Sequence, residues 1–246
     1  MKRCWTNWSM QAEGVLYLLP VWLGEAGGIE LLPPANIAIA ERVKLFFCEN
    51  ERTARRMLRR MSKAIDLDAI ELHLLNKDST AADIAEFGIL LGTRDAAIIS
   101  EAGMPCIADP GARLVAEAHR RNVRVVPLTG PSSLLLALAA SGLNGQQFTF
   151  HGYLPRESTQ RKQQVKKLEQ EAQRTGGAQL FIETPYRNDA LLADLLAACA
   201  GNTRLCVAID LEQPGGSVIT RTVAAWRKGA PALGKRPCVF ILGAEG

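Results

Sequence analysis

The sequence predicts an α/β protein made of two α/β domains. Two observations carry this. Short apolar, β-branched segments alternate with longer amphipathic ones along the chain, the pattern of strands joined by helices and paired largely in parallel. The length of 246 residues also accommodates two domains of roughly 100–150 residues each.

In chain order, Val15–Leu19 and Leu45–Cys48 read as strands because they are short, apolar and bounded by turn residues or charge. Arg52–Ala64 reads as a helix, with Ala54, Met57, Leu58 and Met61 on its inward side. Ile70–Leu74 is a strand, Ala81–Leu91 a helix and Ala96–Ser100 a buried strand. Arg113–Arg121 is a helix, Val123–Val126 a strand, Ser132–Ser141 a helix and Phe148–Phe150 a strand. The polar stretch Glu157–Arg174 is a long helix, followed by the strand Gln179–Ile182 and the helix Asp189–Cys199. Leu205–Ile209, Val218–Thr222 and Cys238–Leu242 close the chain as strands. Two of these lie close together with no helix-length segment between them, so part of the second sheet is expected to be antiparallel.

The domain boundary falls at Val-Val-Pro-Leu-Thr-Gly-Pro, Val125–Pro131, where a strand ends and a helix opens with Pro131 in its first turn. This gives an N-terminal domain over residues 14–129 and a C-terminal domain over residues 130–246. Residues 1–13 do not fit the alternation and are expected to be an extension, with Trp5 and Trp8 in a polar stretch.

Composition narrows the function classes. Hydrophobic residues make up 48% and charged residues 22%, which excludes a disordered chain, and the glycines and prolines show no repeat period. The net charge of +4 permits a nucleic-acid partner without requiring one. The apolar run Val15–Leu23 is far below the roughly 20 residues a spanning helix needs, so no membrane association is expected. The six cysteines form no C-x-x-C pair and read as reduced, mostly buried thiols of a cytoplasmic protein. His73, His119 and His151 lack metal-ligand spacing, and no metal is expected.

Ligands of such folds sit outside the carboxyl ends of strands, so the loops after strands carry the search. Ser100–Gly111 is a twelve-residue connection between a strand and a helix, long for its kind. Gly103 allows a turn or close backbone approach, and Asp109 before Pro110 reads as an N-cap and first helical residue. Thr129-Gly130-Pro131-Ser132-Ser133 places two hydroxyls and helix-terminal N–H groups where a carboxylate or ribose would bind, although capping alone explains one serine.

The motifs in these loops resemble those of the tetrapyrrole methylase superfamily, and within it the bacterial small-subunit ribosomal RNA (cytidine 2′-O) methyltransferase family. That family shows S-D-A-G-T-P, I-x-D-P-G, P-G-P-S, S/A-G-L and G-F-L-P in order. This chain has S-E-A-G-M-P from Ser100, I-A-D-P-G from Ile107, T-G-P-S-S from Thr129, S-G-L from Ser141 and G-Y-L-P from Gly152. E-N-E-R from Glu49 resembles E-D-T-R, E-T-P-Y-R from Glu183 resembles E-S-P-H-R, and Asn76 falls where an asparagine follows the third strand.

The resemblance implies an S-adenosylmethionine-dependent methyltransferase with the cofactor in a cleft between two α/β domains. The Gly-rich fingerprint of most methyltransferases is absent, as the resemblance would have it. By position, the implied cofactor contacts fall on Pro20, Ser100, Glu101, Gly103, Met104, Ile107, Ser132 and Ser133, with Glu183 and Asp210 at strand ends of the second domain. The chain departs from the family in its first loop, where Pro20-Val21-Trp22-Leu23-Gly24-Glu25 replaces P-T-P-I-G-N, and in Asn50 for the aspartate of E-D-T-R. Glu101 replaces the aspartate of S-D-A-G, and Ile209–Gln213 replaces R-E-L-T-K. The small C-terminal extension of many members has no counterpart before Gly246.

The implied substrate is small-subunit ribosomal RNA, methylated on a ribose 2′-hydroxyl, and the implied assembly is a homodimer. The hydroxyl needs a base, for which Glu49, Glu101 and Asp109 are candidates; Glu49 and Glu101 are the catalytic residues expected, with Asp109 read as a cap. Arg52, Arg55, Arg56 and Arg59, with Lys63, share one helical face that suits either solvent or an RNA backbone. Two further readings stay open: methylation of a tetrapyrrole or other small molecule, and a catalytically inactive relative that binds cofactor or RNA.

Overall fold

The computed structural model describes residues 14–244, so Cys4, Trp5 and Trp8 lie outside the described residues. The chain divides into two compact units. One holds the chain up to Leu23 and Gly27–Pro131; the other holds Gly24–Ala26 and the chain from Ser132 onward.

The first unit is a five-stranded parallel sheet in the order β3-β2-β4-β1-β5, from β1 (Val15–Leu19), β2 (Leu45–Cys48), β3 (Glu71–Leu74), β4 (Ala96–Ile99) and β5 (Arg124–Pro127). Strand alternation sorts its side chains into two cores. Leu45 and Phe47 of β2, with Ala96 and Ile98 of β4, enter one core with Phe87 and Leu91 of α3 (Ala81–Leu91) and Leu114 of α4 (Ala112–Arg120). Phe46 and Cys48 with Ala97 and Ile99 enter the other, against Ala40 of α1 (Pro34–Arg42) and Met57, Leu58 and Met61 of α2 (Glu51–Met61). Burying both faces explains why these strands read as unbroken apolar runs. Each fully buried Phe or Leu contributes about 1.5–3 kcal/mol.

Helix α1 departs from the sequence reading, which placed no helix there. Pro33-Pro34 looks like a breaker, but Pro34 occupies the first helical turn, where a missing N–H costs nothing. The following Ile-Ala-Ile-Ala fits a period of two as well as a helix. Helix α2 is capped by Asn50, whose Oδ1 accepts the Thr53 N–H at 3.0 Å, so the asparagine keeps the capping function of an aspartate.

The second unit is a mixed sheet in the order β6-β7-β10-β8-β9, from β6 (Phe148–Tyr153), β7 (Ala178–Ile182), β8 (Arg204–Ile209), β9 (Ser217–Thr222) and β10 (Cys238–Gly243). Only β6 and β7 pair in parallel; β10 runs antiparallel between β7 and β8, and β9 antiparallel to β8. On one face Leu205, Val207, Phe240 and Leu242 pack with α6 (Ser158–Thr175), α7 (Asn188–Ala198) and Trp226 of the short helix α8 (Val223–Arg227). On the other, Cys206, Ala208, Val239 and Ile241 meet Leu134, Ala137 and Leu138 of α5 (Ser133–Ser141). The expected antiparallel portion is present. Helix α8 lacked the length to be read from sequence; it starts where the Thr222 side chain accepts the Ala225 N–H. Within this unit the Ala26 N–H is bound by Gln213 Oε1 at 2.7 Å.

Among the described residues five cysteines are free thiols, of which Cys48, Cys199, Cys206 and Cys238 are buried. Among the described residues no helix is long and apolar enough to cross a membrane.

Candidate functional site

All strands of the first sheet are parallel, so their carboxyl ends share one edge. From β1 the chain crosses to β2 on one side, and from β4 to β5 on the other. To do so each connection passes its neighbour's strand, so the loops leaving β1 and β4 meet at this edge, where the connections of the sheet change direction. Pro20 and Val21 follow β1, and Ser100–Gly111 follows β4. The Val21 N–H donates to Gly103 O at 3.0 Å, and Ser100 Oγ donates to the same oxygen at 2.5 Å. Gly103 has φ +69, and a Cβ there would lie 2.9 Å from Leu23 Cδ2 and 3.1 Å from Pro131 O. Only glycine takes that conformation without strain. Buried Pro20 lies against Gly130, Met104 is partly buried, and Glu101 and Ile107 are exposed.

The loop continues through Cys106 (φ 67) and Ala108 (φ 63), left-handed residues that carry side chains. This winding alters one expectation. Asp109 is not the cap of α4; Gly111, with φ +136, holds that position and the helix starts at Ala112. A helical φ cannot begin before the glycine turn, and the Asp109 carboxyl is released for other work.

That carboxyl joins Glu49, just after β2, and Glu101, just after β4. Burial, then the charges of Glu49 and Glu101, push Asp109 from 3.8 up to about 7. Burial and then Glu101 push Glu49 upward as well. Among the described residues none of the three carboxylates has a hydrogen-bond or ion-pair partner. No three His, Cys, Asp or Glu side chains there converge tightly enough to hold a metal ion. A partly desolvated, mutually repelling acidic group suits a ligand that brings positive charge. S-adenosylmethionine, with a sulfonium and an ammonium, matches that donor set, and the Gly103 turn leaves its peptide surface free of side chain.

Ser132, Ser133, Glu183 and Asp210 belong to the second unit. Ser132 is buried at the N-cap position of α5, yet its side chain makes no capping bond. Ser133 is the first helical residue. The Glu183 side chain is fully buried after β7: Oε1 accepts the Thr184 N–H at 2.6 Å and pairs with Arg187, while Oε2 has no partner. Asp210 follows β8 with φ 47 and lies 3.8 Å from Arg236 Nε.

On α2, Arg52, Arg56 and Arg59 are exposed. Arg55 is half-buried and donates to Leu67 O at 2.8 Å, so it also braces the turn after the helix. The divergent first loop has a packing reason: Val21 and Trp22 enter the core, and the Arg60 guanidinium lies 4.5 Å over the Trp22 ring while bonding Gly27 O at 2.8 Å. Asp109 is the site residue the sequence reading assigned to another task. The glycine two positions later, in D-P-G, is the signal that a turn rather than a helix follows it.

The family model described as "Tetrapyrrole (Corrin/Porphyrin) Methylases" matches residues 26–211. A "Ribosomal RNA small subunit methyltransferase I" of Micromonospora olivasterospora is 35% identical over 199 residues, covering 81% of this chain and 60% of that protein. The protein of the same name in Xylella fastidiosa is 32% identical over 216 residues, covering 87% and 75%. The chain thus spans 60% to 75% of the length of these two relatives. Among solved structures, the methyltransferase CobJ aligns with a TM-score of 0.58 at 17% identity, covering 94% of this chain and 93% of that one. Uroporphyrin-III-C-methyltransferase from Thermus thermophilus aligns with a TM-score of 0.52 at 18% identity, covering 94% of each. These two likenesses show the fold.

Proposed function

Because the chain belongs to the tetrapyrrole (corrin/porphyrin) methylase family, we propose that it is an S-adenosylmethionine-dependent methyltransferase acting on a ribose 2′-hydroxyl of small-subunit ribosomal RNA. The observation that carries the cofactor is the unpaired carboxylate group of Glu49, Glu101 and Asp109 beside the Gly103 turn. The RNA acceptor is supported by the ribosomal RNA methyltransferase relatives and by the exposed cations of α2.

The bound donor supplies an electrophilic methyl group on a positively charged sulfur. The Gly103 loop, fixed through Ser100 and Val21, presents backbone for its approach; Pro20, Met104, Ile107, Ser132 and Ser133 complete the contacts on this reading. Glu101 takes the donor's ammonium. Glu183 holds Arg187 and acts by shaping the turn after β7, and Asp210 acts in the same way after β8. The acceptor hydroxyl must lose a proton as its oxygen attacks, and a carboxylate with a pKa near neutrality is well matched to receive it. Asp109, at about 7, is the group so tuned, and burial and the charge of Glu101 move Glu49 in the same direction. Arg52, Arg55, Arg56 and Arg59 engage RNA phosphates. A cytoplasmic homodimer accompanies this reading, and sedimentation of the purified protein tests the assembly.

The decisive experiment is transfer of labelled methyl from S-adenosylmethionine to small ribosomal subunits that lack the modification. Label in an alkali-resistant dinucleotide is the expected result, since a 2′-O-methyl group blocks cleavage at that ribose. Donor binding without transfer to any RNA would overturn the acceptor, and absence of donor binding would overturn the reading as a whole.

A further inference from the structure

The turn after β7 carries an aromatic ring with no place in the core. Tyr186, in the 3-10 turn Pro185–Arg187, is 78% exposed and belongs to none of the hydrophobic clusters. Everything around it is held. Glu183, fully buried, binds the Arg187 guanidinium, whose Nε also donates to Thr184 Oγ1 at 3.2 Å. Pro185 restricts the backbone on the preceding side.

The loop from Leu233 to Arg236 is fixed by the first two residues of α7. Asp189 accepts the N–H groups of Leu233 at 2.7 Å and Gly234 at 3.2 Å. Asn188, fully buried, donates Nδ2 to Arg236 O at 2.7 Å. The Arg236 side chain folds back on Leu233 O at 2.9 Å. This brings Lys235 Nζ to 5.0 Å from the centroid of the Tyr186 ring. An exposed ring is thus flanked by Lys235 and the anchored Arg187, both on segments whose geometry is set by buried polar groups.

We propose that Tyr186 is a stacking platform for an unpaired base of the substrate RNA, with Lys235 taking a flanking phosphate while the Arg187–Glu183 pair holds the turn in place. This rests on the reading that the substrate is RNA. A planar ring offers its face to any base, and neighbouring cations track the backbone, which is how single-stranded nucleic acid is held without a sequence code. A base inside a duplex cannot reach such a ring, so the platform selects a splayed or single-stranded nucleotide.

The test is fluorescence anisotropy of a labelled single-stranded RNA oligonucleotide with the full chain. Tyr186→Ala should weaken binding on the order of tenfold, the loss expected for one stacked base. Tyr186→Phe should bind within about twofold of the parent, since stacking needs the ring and not the hydroxyl. Lys235→Ala should lower the salt slope of binding by about 0.7, one phosphate contact to a single strand. Photocrosslinking of RNA containing 5-iodouracil should label the peptide bearing Tyr186. If Tyr186→Ala binds RNA and crosslinks elsewhere as the parent does, the platform is overturned while methyl transfer to ribosomal RNA still stands. If the unaltered chain binds no RNA and methylates none, the platform falls together with the reading beneath it.

Discussion

Val21 donates its backbone N–H to the carbonyl oxygen of Gly103, joining the loops that leave two neighbouring parallel strands. The bond requires Gly103 at φ +69, where any Cβ presses on Leu23 and Pro131. Gly103→Ala should therefore destabilise the first unit by about 1–2 kcal/mol, the cost of a left-handed residue with a side chain. It should also weaken S-adenosylmethionine binding at least tenfold. Urea melts and titration calorimetry check both, and an unchanged affinity would remove the loop from the cofactor site.

Asp109 makes donor binding depend on pH. Its folded value lies above its ordinary one, so the native state binds the extra proton and this group's contribution to stability falls as pH rises from about 4 to about 7. A cationic ligand favours the ionised carboxylate. Its binding should expel a proton and tighten as pH passes from about 6 to about 8, where the group titrates. Asp109→Asn should flatten both trends and stabilise the ligand-free protein at pH 7. Calorimetry in buffers of different ionisation enthalpy reports the proton directly; equal heats at pH 6.5 in all buffers would contradict this account.

The second unit contains a buried ion pair that supports structure alone. Arg161 is 5% exposed and Asp194 9%, with Arg161 Nε bonding Asp194 Oδ2 at 2.7 Å and Ser158 and Lys162 on the same carboxylate. Burial pushes Asp194 up, and the bonds from Ser158, Arg161 and Lys162 more than reverse it, leaving the carboxyl below its ordinary value. Arg161→Met leaves the carboxylate with only Ser158 and the half-exposed Lys162 and should cost about 3 kcal/mol. Arg161→Met with Asp194→Leu should recover most of that loss. A double variant as unstable as the single one would show that the arginine's packing, and not its charge, matters.

Reversing Arg52, Arg56 and Arg59 to glutamate should weaken RNA binding and lower its salt slope by about 2, three phosphate contacts at roughly 0.7 each. Donor affinity serves as the control. Arg55→Ala behaves differently: losing the bond to Leu67 O should cost about 1 kcal/mol in stability. Equal salt slopes for the triple variant and the parent would leave α2 a solvated face.

Most strands were legible because each buries both faces or alternates cleanly, as Leu45–Cys48 and Cys238–Leu242 do. Helix α2 was legible because Ala54, Met57, Leu58 and Met61 recur at helical spacing. Helix α1 was not, since Ile-Ala-Ile-Ala carries no distinct period. At the site, the Gly103 turn was visible as a glycine after a strand. The partnership of Asp109 with Glu49 and Glu101 was not, because it joins residues from separate loops and depends on a left-handed winding that Cys106 and Ala108 do not announce. The Tyr186–Lys235 pair was hidden for the same reason, the two being brought together only by the hydrogen bonds of Asn188 and Asp189.

The placement of β10 bears on how the protein is made. Cys238–Gly243 is the strand nearest the carboxyl end of the sequence, yet it sits between β7 and β8 and supplies the ladder to both. The first sheet is complete once Pro127 has emerged from the ribosome, so that half can fold during translation. The second half waits, with two apolar strand edges unpaired, until Gly243 has emerged as well. Stalled or prematurely terminated products should therefore carry one finished half and one sticky half, a ready substrate for chaperones and proteases.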